Sequence, residues 1–301
     1  MSTVRTSRFV STLALSVYVA TVAVGCADGG DGSGPGSVPR SVRAQDALLQ
    51  TAQSALVRRC LTDRHIEPSA EPGTADAGQD RGIAQRREFP YGIDDPEWAA
   101  EHGFGSGQGS GATTKEAAAA KEADVSPRQQ RLVDALFGTG RRELSTRTAT
   151  GLVVRTNSDG CLAEAQRVLY GDQGRWFRTE VTINNLGAAA HQRVTRDPAY
   201  RAVLVRWARC VAPVQKAEDP GELRRVWQRR AAGLDPQRAT ESERRYAVAE
   251  ARCVLRTGLA DTGARLERRH AAELRTEYAD VIAEHRRLRE HGLRFAVRQG
   301  L

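Results

Sequence analysis

Apolar residues recur every three or four positions over most of the chain beyond residue 40, the spacing of helices with one buried face. Leu48, Leu49, Ala52, Leu56 and Cys60 line such a face from about residue 44 to 61. The same period predicts helices over 161–170, 176–196, 198–211, 220–232 and 241–257. A last, long helix is expected from Leu259 to near His291. Its stripe is Leu266, His270, Leu274, Tyr278, Val281, Ile282, His285 and Leu288. Residues 145–156 alternate instead (Thr146, Thr148, Thr150, Val153, Val154) around Gly151, a candidate β-hairpin.

The punctuation agrees with this division. A capping residue precedes proline in Asp95-Pro96, Ser126-Pro127, Asp197-Pro198, Asp219-Pro220 and Asp235-Pro236. There the side-chain oxygen takes a helix-start N–H, and proline lacks the N–H that would otherwise go unpaired. Gly138 and Gly171 stand where helices should stop. Two stretches, about 67–88 and 106–125, have no period and read as loose insertions, with a compact aromatic segment from Phe89 to Gly105 between them. The expected fold is mostly α, a helical bundle with one short β-hairpin, two disulfides and flexible linkers, formed by residues 44–301.

Ahead of that domain, Arg5 and Arg8 precede sixteen uncharged residues, Phe9 to Val24. This is the apolar length of a signal peptide and is short for a spanning helix. It ends in Ala23-Val24-Gly25-Cys26, followed by a Gly/Ser/Asp-rich stretch. A small residue before cysteine reads as a lipobox. Residues 1–25 are then a signal peptide, Cys26 carries diacylglycerol, whose two acyl chains (palmitate, for instance) suffice for stable attachment, and residues 26–43 are the lipidated cysteine and its tether. Cleavage after Ala27 or an uncleaved anchor are the competing readings. The expected location is the extracytoplasmic face of the cell membrane.

The other cysteines, Cys60, Cys161, Cys210 and Cys253, are even in number and contain no C-x-x-C pair, so disulfides are expected in an exported chain. Three pairings are open. Cys60–Cys161 with Cys210–Cys253 is preferred because it closes each half of the chain separately. A reactive Cys60 beside His65 is the rival.

Certain phrases resemble a family of secreted lipoproteins of Streptomyces and related actinomycetes that has no assigned activity. They are Leu56-Val57-Arg58-Arg59-Cys60, the stretch from Tyr91 to Ala99 closing on Gly103-Phe104-Gly105, and Ala135-Leu136-Phe137-Gly138. Gly160-Cys161-Leu162-Ala163-Glu164-Ala165, Leu169-Tyr170-Gly171-Asp172 and Trp207-Ala208-Arg209-Cys210 extend the likeness, which spans about 44–253. Family members often carry Cys-Met and then Gly-Phe after the first cysteine, where this chain has Leu61, His65 and Ile66. The resemblance implies an architecture and an address, and no catalytic residue.

Enzymatic signatures are absent: no H-E-x-x-H, G-x-S-x-G, G-x-x-x-x-G-K-S/T or G-x-G-x-x-G occurs. No cofactor or metal is called for. The sharpest candidate site is Asp94, Asp95 and Glu97 beside Trp98 and Tyr91. Such carboxylates with aromatic platforms could act on an envelope glycan, or Asp95 could cap a short helix while the rings fill the core.

Charge adds a second signal. Lys and Arg number 45 against 37 Asp and Glu, and the whole +8 excess falls in residues 201–301. Arginine pairs at 224–225, 229–230, 244–245, 268–269 and 286–287 lie on the polar sides of helices. Ion pairs such as Arg269–Glu273 and Glu290–Arg294 would solvate them, or they could meet anionic headgroups or wall polymers. Nucleic acid is not expected for an exported, tethered chain. The reading is a lipid-anchored envelope protein, a non-catalytic binding or scaffold module for an envelope protein or anionic envelope polymer. A carbohydrate-active enzyme using Asp94, Asp95 and Glu97, or a thiol redox protein, is the alternative.

Overall fold

The computed structural model describes residues 37–66, 87–105 and 126–300. The expected signal segment, Cys26, the tether up to residue 36 and the bulk of both loose insertions lie outside the described residues. Among those described, ten helices and one two-stranded antiparallel sheet are formed. In chain order they are α1 (Val42–Asp63), α2 (Pro96–His102), α3 (Pro127–Phe137), β1 (Glu143–Arg147), β2 (Val153–Asn157), α4 (Cys161–Tyr170) and α5 (Gln173–Arg196). Then follow α6 (Pro198–Val211), α7 (Pro220–Ala231), α8 (Pro236–Thr257), α9 (Leu259–Glu277) and α10 (Ala279–Arg298). No helix among the described residues is long and apolar enough to cross a membrane.

All five cap-proline pairs start a helix, the Asp or Ser side chain accepting a backbone N–H of the first turn in each. Asp172 does the same for α5 without a following proline, so that helix begins three residues earlier than its apolar pattern predicts. α8 likewise starts at Pro236, ahead of the expected residue 241, because Asp235 caps it. Gly138 and Gly171 close α3 and α4 with φ of 82° and 84°, a backbone region that side chains disfavour. The hairpin sits where the alternation placed it, with Ser145 opposite Arg155.

One expectation fails. The long C-terminal helix is broken at Tyr278 (φ −103°, ψ 22°) into α9 and α10, and runs on to Arg298. The two halves serve different cores. Leu266 packs among Trp207, Leu223 and Val254, and Leu274 against Ala189 and Ala190 of α5. Leu288 and Leu293 instead pack with Leu49, Leu169 and Trp176, on α1, α4 and α5. One straight stripe cannot face both groups, so the helix turns between them.

Both disulfides form, Cys60–Cys161 and Cys210–Cys253, with Cα–Cα separations of 5.6 and 5.7 Å. The first ties α1 to α4 across 101 residues and the second ties α6 to α8 across 43. On the loop-entropy model each stabilises the fold by about 4–5 kcal/mol. The bridges are those of an extracytoplasmic protein. Cys60, read alternatively as a reactive thiol beside His65, is thus bonded to Cys161.

Candidate functional site

Residues 87–105 form a strap across α7, α8 and α9, and they contain the carboxylate–aromatic cluster. Asp95 Oδ1 accepts the N–H groups of Glu97 and Trp98 at 3.1 and 2.9 Å, while Oδ2 meets Arg87 Nη1 at 2.5 Å. The Trp98 N–H foremost, with Arg87 behind it, holds the Asp95 carboxyl below the usual aspartate range against some desolvation. Asp95 is therefore an ionised cap, with both oxygens engaged. Asp94 lies 3.8 Å from the same guanidinium, and Glu97 is exposed in the first turn. Trp98 stacks on His102, the rings 4.9 Å apart and 8° from parallel, and Phe89 is tilted against it at 4.8 Å.

Tyr91 parts from this group. It is buried, its ring beside those of His191 and Tyr200, and its hydroxyl donates to Glu267 at 3.0 Å. Burial, reinforced by Glu267, pushes its phenol well up. The ring occupies the space over Gly263 of α9, where any Cβ would stand 2.3 Å from its Cγ. The structure thus collects Asp94, Asp95, Glu97 and Trp98 at the start of α2 and turns Tyr91 inward as a core plug. A sugar platform made of Trp98 and Tyr91 together does not exist.

Two carboxylates that the sequence reading passed over, Glu250 and Glu243, fix the strap together with Arg224. Glu250 of α8 is fully buried; its Oε1 accepts the Ile93 N–H at 2.8 Å and Arg224 Nη2 at 2.7 Å. Burial pushes this carboxyl up, and Arg224 and the Ile93 N–H pull against it. Phe104 N–H donates to Glu243 at 3.0 Å, and Arg224 lies over the Phe104 ring. Glu250 had a signal. It sits on the buried stripe Tyr246, Ala247, Ala251, Val254, where a lone carboxylate demands a partner. Beside the strap, Phe89, Tyr91, Tyr200, Asp219 and Arg224 border an open groove of about 340 Å³. Tyr200 there is pushed up to about 12 by burial and the nearby Asp219 charge.

Histidines serve as bundle partners. His285 Nε2 meets Glu180 at 2.6 Å and its ring stacks on Trp176. His270 stands between Glu273 and Asp197, at 2.8 and 3.3 Å, with Arg269 on the same Asp197. No group of three or more metal-ligating side chains occurs among the described residues.

The arginine pairs divide between these two uses. Arg224 binds Glu250, Arg230 the Tyr246 hydroxyl, Arg269 Asp197 and Arg287 Glu284, the last three while staying exposed, as Arg229, Arg244, Arg268 and Arg286 also are. The expected pairs Arg269–Glu273 and Glu290–Arg294 form, at 3.6 and 3.9 Å. α6 differs from the other basic helices. Tyr200, Val203, Trp207 and Val211 face inward, while Arg201, Val205, Arg206 and Arg209 face solvent, and the helix has no acidic residue. Across the Cys210–Cys253 bridge, Arg252, Leu255 and Arg256 at the end of α8 continue that exposed surface.

No protein-family model, curated protein or solved structure matches the chain.

Proposed function

We propose that this is a lipid-anchored cell-envelope protein, held by diacylglycerol on Cys26, that works as a non-catalytic binding or scaffold module. Its partner is an acidic surface, either an envelope protein or an anionic wall polymer. The observation that carries the reading is the acid-free face of α6. Arg201, Arg206 and Arg209 stand exposed there, joined by Arg252 and Arg256 and edged by the exposed Val205 and Leu255. Unopposed cations in a row attract polyanions at long range, and apolar residues among them add contact area once docked. The lipobox and tether favour the anchor, and the resemblance to secreted actinomycete lipoproteins points the same way. Against an acid–base site, Asp95 is consumed as a cap and Tyr91 is buried.

The test uses the mature chain with Cys26→Ser, so that only the folded domain can bind. It is mixed with envelopes from the producing cell, either protease-treated or stripped of anionic polymer. Salt-sensitive retention that falls with Arg201→Gln/Arg206→Gln/Arg209→Gln supports the reading, and the treated samples tell protein from polymer. No retention, or retention indifferent to the three arginines, overturns it.

A further inference from the structure

The two disulfides differ in the charged group that lies against sulfur. Arg256 Nη2 lies 2.6 Å from Cys210 Sγ and 3.5 Å from Cys253 Sγ. Cys60, Cys210 and Cys253 each follow an arginine, so the bridges differ in what lies against sulfur and not in their chain neighbours; residues 198–211 and 251–260 contain no acid. At the other bridge a carboxylate is the neighbour: Glu164 Oε2 lies 3.5 Å from Cys60 Sγ, its charge shared with Arg64 at 3.4 Å. Access differs in the same sense. Cys161 and Cys60 are both buried, whereas Cys210 is partly exposed beside a buried Cys253.

We propose that Cys210–Cys253 is a thiol–disulfide exchange site, opened by an external dithiol while Cys60–Cys161 stays closed. A cation against sulfur stabilises the thiolate, which quickens departure of that sulfur and shifts the equilibrium towards the reduced pair; a carboxylate does the reverse. In the first step one thiolate of the dithiol attacks the accessible Cys210 Sγ. A mixed disulfide forms, the Cys210–Cys253 bond breaks, and Cys253 leaves as a thiolate within reach of Arg256. In the second step the other thiolate of the reductant attacks its own sulfur in the mixed disulfide and releases Cys210 as a thiolate beside the same guanidinium. The dithiol ends as a disulfide, having given two electrons. Its two protons go to solvent or to the Cys210 and Cys253 sulfurs according to pH. The site shares Arg209, Arg252 and Arg256 with the basic face, but its reduction needs neither the anchor nor a polyanion, so either reading can fail without the other.

The experiment equilibrates the oxidised mature chain with graded ratios of reduced to oxidised dithiothreitol, traps thiols by alkylation and maps each cysteine by peptide mass. Circular dichroism at each ratio follows the fold. Cys210 and Cys253 should reach half reduction at a ratio at least tenfold lower than Cys60 and Cys161, a gap of about 30 mV for a two-electron couple. Arg256→Gln should shrink that gap severalfold. Arg256→Lys should restore most of it, which a packing role for the side chain would not do. Co-reduction of both bridges, earlier reduction of Cys60–Cys161, or a gap unmoved by Arg256→Gln would overturn the proposal.

Discussion

Gly263→Ala isolates the contact that docks the strap on the bundle. An alanine Cβ would stand 2.3–2.6 Å from three ring carbons of Tyr91, about an ångström inside ordinary carbon contact. The ring cannot simply retreat. His191 and Tyr200 flank it with centroids at 5.1 and 5.5 Å, and its hydroxyl is tied to Glu267, one turn along the same helix. Overpacking of this kind costs about 1–3 kcal/mol, and loss of the Tyr91 hydrogen bond about another 1 kcal/mol. Against this, replacing a mid-helix glycine by alanine favours the helix by about 1 kcal/mol. The net expectation is a loss of about 1–3 kcal/mol, or roughly 2–4 °C in Tm per kcal/mol for a domain of this size. Tyr91→Ala removes the obstruction at its own cost of about 3–5 kcal/mol, by analogy with other aromatic truncations in cores. In that background Gly263→Ala should change sign and stabilise by up to about 1 kcal/mol. Urea unfolding of the four proteins of this cycle supplies the numbers. If Gly263→Ala stabilises both backgrounds equally, Tyr91 is not seated on Gly263 and the docking of the strap is misassigned.

Four further outcomes are expected, three from this geometry and the last from the sequence. Glu250→Ala leaves Arg224 and the Ile93 N–H without their shared acceptor and should cost about 3 kcal/mol by denaturant titration, with Glu250→Gln milder because its amide oxygen still accepts from Ile93. Arg224→Ala should instead make stability fall as pH rises past the carboxylate range, since Glu250 must then ionise in the interior without its cation. Glu180 behaves oppositely. Burial pushes its carboxyl up, yet His285, Asn184 and Arg289 together hold it below the usual glutamate range. Its contribution is thus present above that range and lost as pH falls through its folded value, and Glu180→Gln should flatten the acid limb of a Tm–pH profile. Cys26→Ser should move the protein from the membrane fraction to the medium; continued partition with membranes would remove the lipid anchor from the account.

Local signals in the sequence were strong, and they account for most of the fold. Asp95, Ser126, Asp197, Asp219 and Asp235 each start a helix because capping needs only the next three residues. The cysteine pairing followed from closing each half of the chain. What stayed hidden depends on contacts far apart in sequence. Tyr91 turned inward because Gly263, 172 positions later, leaves room for a ring. Glu250 had a buried position in its helical stripe, yet nothing local named Ile93 as its partner. The break at Tyr278 has no proline or glycine to announce it and arises because Leu274 and Leu288 answer to different cores. At the candidate site the cap at Asp95 was legible from Asp95-Pro96, whereas the inward turn of Tyr91 beside it was not.

The most direct test of the central claim is the salt dependence of binding between the Cys26→Ser mature protein and envelopes of the producing cell, with and without the three α6 arginines. The account predicts saturable binding that weakens steadily with salt and drops at least tenfold, about 1.4 kcal/mol, when Arg201, Arg206 and Arg209 become glutamine. Binding that ignores both salt and those arginines, or no binding at all, would contradict it.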